Sequence, residues 1–340
     1  MNYKATFLLG LPDSQMIKVG GVSEKGDLRY QLEGNSEFHN FVRIPNENKH
    51  NLVLVWCAES PNNIPESDIV INCITDPDTN FKSLKMAAGI TEFLKKQHGK
   101  IAIFNDPIKV FATTREKIYQ QFNNLPKIYV PKVVRFNPKS TKDVFKAAKE
   151  NNINFPFLIR PCGAHESQNL NLIRGEKDAE LLEQYALNGS DHYLTEFVDY
   201  KSADGLYRKA RLLIIGGKIL PRHFMTGEGW MVYGSLHEKY MAHNPATIAA
   251  ENHFIDNFEK LIDPIALKSF RQIYETIGLD YLGFDFAIKH DGSLIIFEIN
   301  PAQNPFIELN TSYFPYMPAV RENIISALNL QAQTKIKNLK

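Results

Sequence analysis

The chain reads as a mixed α/β protein built from more than one α+β unit, and three stretches carry that reading. Strand-like runs at 51–57 and 68–74 precede a helical pattern from about Phe81 to Gln97 and the apolar run 101–104. That order suits an α/β domain with a partly parallel sheet. Gly216-Gly217 lies between RLLII and KIL, and Asp291-Gly292 lies between GFDFAI and LIIFEINP. Both dipeptides are hairpin signals, because their residues accept the backbone angles of a tight turn.

The remaining elements follow in order. A helix is expected around Lys109 to Phe122, then a short strand ending in Pro131, a helix around Thr141 to Asn151 and the strand FPFLIRP. LTEFVDY, RLLIIGGKIL and WMVYGS read as strands, and about 249–261 and 265–277 as helices. The expected division is an N-terminal α/β domain at 1–105, a small subdomain at 106–193, a large subdomain at 194–330 and a basic C-terminal tail at 331–340.

Composition narrows the classes. The 340 residues are 44% hydrophobic, enough for two or three packed subdomains, and the net charge of +1 gives no attraction to nucleic acid or membrane. Cys57, Cys73 and Cys162 lack metal-type spacing and suit a reducing compartment. The start MNYKATFLLGLPDSQM is too broken for a signal peptide and no 18-residue apolar span follows, so a cytoplasmic enzyme is expected.

The acidic hairpin poses the first chemical question. Pairing His290 with Ser293 makes Lys289 face Leu294, Ile288 face Ile295, Phe286 face Phe297 and Asp285 face Glu298. Alternation then puts Asp285, Ala287, Ile296, Glu298 and Asn300 on one face and Phe284, Phe286, Ile288, Ile295, Phe297 and Ile299 on a core face. Facing carboxylates repel. A shared proton, a hard divalent cation or solvation at the strand ends offsets that, and the Asn300 amide oxygen makes the cation attractive.

Other polar residues are ambiguous singly. Arg160 ends a strand before a loop with Gly163, His165, Ser167 and Gln168, and is either a phosphate ligand or a surface arginine. His165 is expected to be exposed. Glu196 sits inside an apolar segment whose backbone offers a donor and an acceptor. Arg208, Lys209 and Arg211, with Arg222 and His223 after the turn, form a cationic ribbon that is either a solvated face or a site. Trp230 and Tyr233 are pocket or core, and the 224–250 segment has the composition of a lid.

Arg115-Glu116-Lys117, Arg160 with its loop, Glu196-Phe197-Val198, the Lys209/Arg211 strand, Asp285 and Glu298-x-Asn300 occur in an order that resembles the ATP-grasp superfamily. The resemblance is to RimK-type glutamate ligases, glutathione synthetase and the ATP-grasp domains of bacterial tetratricopeptide proteins, and covers about residues 100–325. It implies an ATP-grasp fold with a pre-ATP-grasp N-terminal domain and ATP held between two α+β subdomains. It implies that Asp285, Glu298 and Asn300 hold Mg²⁺ (or Mn²⁺), that Lys117, Arg160 and Lys209 touch phosphates, and that Glu196, Phe197 and Val198 take adenine. Arg211 and Arg222 would be catalytic.

The activity so implied is a carboxylate–amine ligase working through an acyl phosphate. Arg160 stands where a lysine is common, its loop is poor in glycine, and GEGWMVYGS lacks the arginine of RimK-type enzymes. Two other classes stay open: a weak or inactive ATP-binding regulatory module, and a phosphotransferase. Arg208, Arg222 and His223 suggest a carboxylate-bearing substrate with an amine acceptor. A homodimer is the default assembly.

Overall fold

A computed structural model describes residues 3–23, 26–56, 64–98, 101–164, 169–301, 303 and 309–339. The strand Ala5–Gly10, buried along its whole length, lies inside a four-stranded sheet with Lys49–Leu54 on one side and Ile69–Asn72, then Ala102–Phe104, on the other. Every pairing in it is parallel rather than partly so. Parallel neighbours need a crossover, and the helix Phe81–His98 supplies the one between 69–72 and 102–104. Its Leu84, Ala87, Ile90 and Leu94 are buried at helical spacing. A hairpin of Lys18–Val22 and Leu28–Gln31, which the sequence did not announce, precedes the second sheet strand.

The expected helix at 109–122 is two helices, Pro107–Val110 and Arg115–Phe122. Asp106 caps the first through the Ile108 N–H, and Thr114 is extended at the start of the second. An antiparallel sheet follows, with Asn171–Ile173, Phe157–Pro161, His192–Glu196 and Val133–Phe136 in spatial order. The helix Thr141–Glu150, whose N-cap Ser140 accepts from Asp143 N, packs Val144 and Ala148 into that unit's own core with Phe157, Ile159 and Leu194.

The third sheet has the order Lys218–Gly227, Tyr207–Ile215, Tyr281–Ile288, Leu294–Asn300, Ile128–Tyr129. Gly216 and Gly217 take φ of 57° and 82° between Ile215 and Lys218, the positive angles that a type I′ turn requires. Helices Pro245–Leu261 and Pro264–Ile277 bury Phe254, Phe258, Phe270 and Ile273 in the core beneath this sheet. WMVYGS is not a strand. With Gly229 just before it and Gly234 within it, the chain runs outside any strand to the short helix Leu236–Lys239.

Residues 331–337 are not a tail but the end of the helix Met317–Lys337. Val320, Ile324, Ala327, Leu328 and Ala332 pack with Phe7, Ile69 and Ile71 of the parallel sheet and with Leu213, Ile215 and Tyr281 of the third. Apolar burial thus decides what a charge run had suggested otherwise, and Lys335 Nζ lies 2.9 Å from both oxygens of Asp280. No helix among the described residues is long and apolar enough to cross a membrane.

Candidate active site

The antiparallel and third sheets bound a cavity of about 830 Å³, with residues 34–37 and Asp76 on one side and Trp230 to Ser235 on another. The segment expected to be a lid therefore supplies wall residues, Trp230 and Tyr233 among them.

Asp285 and Glu298 are direct partners, as the sequence predicts, but two irregularities produce the pairing. Lys289 N bonds Ser293 O at 2.8 Å and Gly292 N bonds Lys289 O at 3.0 Å, with Gly292 at φ 74°. The turn is thus one residue longer than expected, and Phe286, Ala287 and Ile288 face Ile296, Ile295 and Leu294. A bulge at Phe297 restores the offset. In consequence Ile296 joins Phe284 and Phe286 in the main core, while Ile295 packs with Ala287 on the site side. Phe297 also turns to the site side, its ring centroid 4.9 Å from that of Tyr200.

The register continues beyond the pair. His223 faces Arg211, Arg211 faces Asp285, and Asp285 faces Glu298, so one row crosses four strands. Arg211 Nε donates to Asp285 Oδ1 at 2.7 Å and its Nη2 to Oδ2 at 3.0 Å, while Lys209 Nζ stands 3.4 Å from Oδ2. Burial would raise the Asp285 carboxyl, but these two cations hold it well below the usual carboxylate range. Arg115 donates to Glu298 Oε1 at 2.8 Å and to Phe297 O at 3.0 Å. Asn300 Nδ2 is 3.3 Å from the same Oε1. Each facing acid thus has its own guanidinium, an offset to the repulsion additional to those read from the sequence.

Arg160 is 7% exposed and its Nη2 has no hydrogen-bond partner among the described residues. Burial and the nearby Arg115 charge push its guanidinium down to about 10. A buried guanidinium nitrogen without an acceptor is costly unless a ligand completes it. On the neighbouring strand of the same sheet, Glu196 accepts from Tyr129 Oη at 2.6 Å and Lys132 N at 3.1 Å. Phe197 and Val198, just past the strand end, make no backbone hydrogen bond among the described residues and line the cavity.

Of the residues singled out from sequence, Arg160, Glu196, Phe197, Val198, Lys209, Arg211, Asp285, Glu298 and Asn300 line this cavity. Lys117 does not: its Nζ donates to Phe111 O at 2.7 Å. Residues two apart on a helix point roughly 200° apart, and Arg115 holds the cavity-facing position. Arg222 is not a lining residue either. The register shift between Arg211 and Leu212 leaves it as the extra residue opposite them. Its buried guanidinium donates to Met317 Sδ at 3.2 Å, and burial with the Arg211 charge pushes it down to about 10. Arg208 pairs with Asp204 at the surface.

His165, Ser167, Gln168 and Cys57 lie outside the described residues. Cys73 and Cys162 are free thiols, and burial pushes Cys73 up to about 12.

Gln303 was missed. It is 4% exposed, lines the cavity and has no partner among the described residues for either amide atom. A Cβ on Gly283 would lie 2.1 Å from its Oε1, so the glycine of GFDF makes room for it. Arg135 was missed too. It contacts Asp78, Glu116 at 3.1 Å, Asp191 at 2.8 Å and Tyr193 Oη at 2.6 Å, joining the N-terminal part, the Arg115 helix and the antiparallel sheet. No local motif announces Arg135, because its partners are remote in sequence, and the place of Gln303 depends on the space left by Gly283 on another strand.

Behind the His223 end of the row, fully buried Glu251 accepts from Phe224 N at 2.9 Å and Tyr316 Oη at 2.7 Å and lies 2.9 Å from His237 Nε2. Burial would raise this carboxyl, but those contacts hold it below its ordinary value. Its contribution to stability is therefore present above the unfolded value of about 4.3 and is lost as pH falls through the lower folded one. Glu251→Gln is expected to lose about 2–4 kcal/mol at pH 7. Urea unfolding of both proteins from pH 7 downward should show the difference shrinking in acid, and a difference that grows there contradicts the assignment.

No family model and no curated protein matches the chain. Among solved structures it is similar to D-alanine–D-alanine ligase from Bacillus anthracis, with TM-score 0.51 and 11% identity over 99% of this chain and 96% of that one. D-alanyl-alanine synthetase A from Vibrio cholerae gives TM-score 0.51 and 11% identity over 98% and 99%. VanG D-Ala:D-Ser ligase from Enterococcus faecalis gives 0.53 and 12% over 99% and 100%. At such identities the likeness is one of fold.

Proposed function

We propose that this chain, which has the ATP-grasp fold, is an ATP-dependent carboxylate–amine ligase using Mg²⁺. The observation that carries the reading is Arg160, a buried guanidinium with a nitrogen unpartnered among the described residues, on a cavity whose opposite wall presents Asp285, Glu298 and Asn300. Two carboxylates and a carboxamide are hard oxygen donors that fit Mg²⁺, and Mn²⁺ by the same chemistry. These three would hold the metal, which when bound supplies charge neutralisation at phosphate oxygens.

Arg115, Arg160, Lys209 and Arg211 supply donors to the phosphates, with Arg115 taking the place first given to Lys117. The Phe197 and Val198 peptide groups offer an edge for adenine, with Glu196 fixed beside them by Tyr129 and Lys132. In the proposed reaction a substrate carboxylate oxygen attacks the γ-phosphorus and ADP departs. An amine then attacks the acyl carbon and phosphate leaves. Cationic side chains suit both steps, since phosphoryl transfer needs positioning and charge neutralisation more than a protein nucleophile. The D-alanine ligases of like fold favour an amino acid or short peptide as substrate class.

A second reading, nucleotide binding without ligation, draws on Asp285, whose charge Arg211 and Lys209 already neutralise. Calorimetry of ATP with and without Mg²⁺, on the parent and Glu298→Ala, tests the shared premise. Binding that needs Mg²⁺ and weakens at least about tenfold in the variant is expected. A parent that does not bind ATP removes both readings. ADP release that requires an added acid and amine then separates ligase from binding module.

A further inference from the structure

We propose that His223 holds the amine of the incoming nucleophile by accepting a hydrogen bond from its N–H. The proposal rests on the ligase reading and adds a substrate-facing residue to it.

The row geometry assigns the place. His223, Arg211, Asp285 and Glu298 are successive cross-strand neighbours, and directly opposed residues of an antiparallel pair point to the same face. Strands lie about 4.8 Å apart, so the row runs roughly 14 Å from imidazole to Glu298. The carboxylates proposed for the metal, and hence the triphosphate, belong to one end. The other end is left for what reacts with the phosphorylated acid.

Chemistry assigns the partner. His223 is fully buried, lines the cavity, and has no hydrogen-bond partner among the described residues on either ring nitrogen. Burial, then Arg211, Arg222, His237 and Lys209, lower it well below the ordinary histidine value, so the ring is neutral. Its ring centroid is 5.8 Å from that of His237, whose Nε2 is held by Glu251, and the bulge residue Arg222 precedes it. Arg211 and Lys209 can only donate, which suits a carboxyl or phosphoryl oxygen. An amine N–H needs an acceptor, and the His223 lone pair provides one at this end of the row. The surrounding cations also disfavour an ammonium ion, and only the uncharged amine has the lone pair that attack requires.

In the step so assisted, the amine lone pair forms the C–N bond and the C–O bond to phosphate breaks with its electrons on phosphate. The proton lost from nitrogen leaves on that phosphate. His223 orients the amine and returns unchanged.

Two measurements on the full chain test this. The first follows the ring nitrogens of His223 by NMR in ¹⁵N-histidine-labelled protein with Mg²⁺ and a non-hydrolysable ATP analogue. The probes are the proteinogenic amino acids and D-alanine, added singly, with propionate as the amine-free control. A shift of the His223 signals with at least one amine and none with propionate is expected, and signals unmoved by every amine overturn the proposal whether or not the protein turns over. The second uses whichever acid and amine support ADP release. His223→Leu should raise KM for the amine about tenfold while KM for ATP and acid stay within about twofold, and His223→Gln, which keeps an acceptor, should recover to within about threefold. Equal losses for all three substrates, or an unchanged amine KM, overturn it. A parent that releases no ADP with any acid and amine sinks the ligase reading alone, and the NMR result still decides whether His223 receives an amine.

Discussion

In Arg160→Met, ATP binds about a hundredfold more weakly, and the nucleotide-free protein melts at a higher temperature than the parent. Both effects come from one fact, a guanidinium that is 7% exposed and has a nitrogen without a partner among the described residues. Charged hydrogen bonds to phosphate are worth about 1.5–3 kcal/mol each, so losing one or two gives the affinity change. Without ligand, the same buried charge costs stability, and methionine keeps much of the apolar stem without it. Calorimetric titration with ATP and Mg²⁺ and thermal scans of the free proteins measure the two effects. An affinity within twofold of the parent would show that Arg160 meets no phosphate.

Asp285→Ala has the opposite signature, a loss of both stability and function. Arg211 and Lys209, each with a side chain 16% exposed, converge on this carboxylate, itself 5% exposed. Removing it strands two cations in a site with little water, a cost of about 3–5 kcal/mol. Removing one cation as well should recover part of that loss, so Asp285→Ala/Arg211→Met is expected to be more stable than Asp285→Ala alone. Urea unfolding of the parent, both single variants and the double variant gives the coupling directly. Additive losses would mean that the pair is electrostatically idle. The double variant should still fail to bind ATP with Mg²⁺, which separates folding from function.

The sequence conveyed most where local chemistry decides the structure. Turn glycines fixed both hairpins, helical spacing placed Phe81–His98 within a residue of its end, and two acids with Asn300 lined one cavity. It conveyed least where remote partners or single-residue irregularities decide. Compensating turn and bulge kept Asp285 opposite Glu298 while exchanging Ile295 and Ile296 between faces. The bulge at Arg222 removed it from the cavity, and helix phase put Arg115 there instead of Lys117. Partners distant in sequence kept Arg135 out of the reading, and burial against two sheets made a helix of the supposed tail.

The separate core of the antiparallel sheet has a mechanical consequence. The parallel sheet, the third sheet and the C-terminal helix share apolar clusters, so they behave as one frame. The antiparallel sheet packs around Val144, Phe157 and Leu194 with nothing from that frame in its cluster among the described residues. It is a lobe entered at Val133 and left at Glu196, and Arg135 ties it to the rest through Asp78 and Glu116. The edge proposed for adenine, at Phe197 and Val198, lies at its exit toward the third sheet. A base bound there would add a second tie at the opposite end of the lobe, making the nucleotide a bolt of the site as well as its reagent.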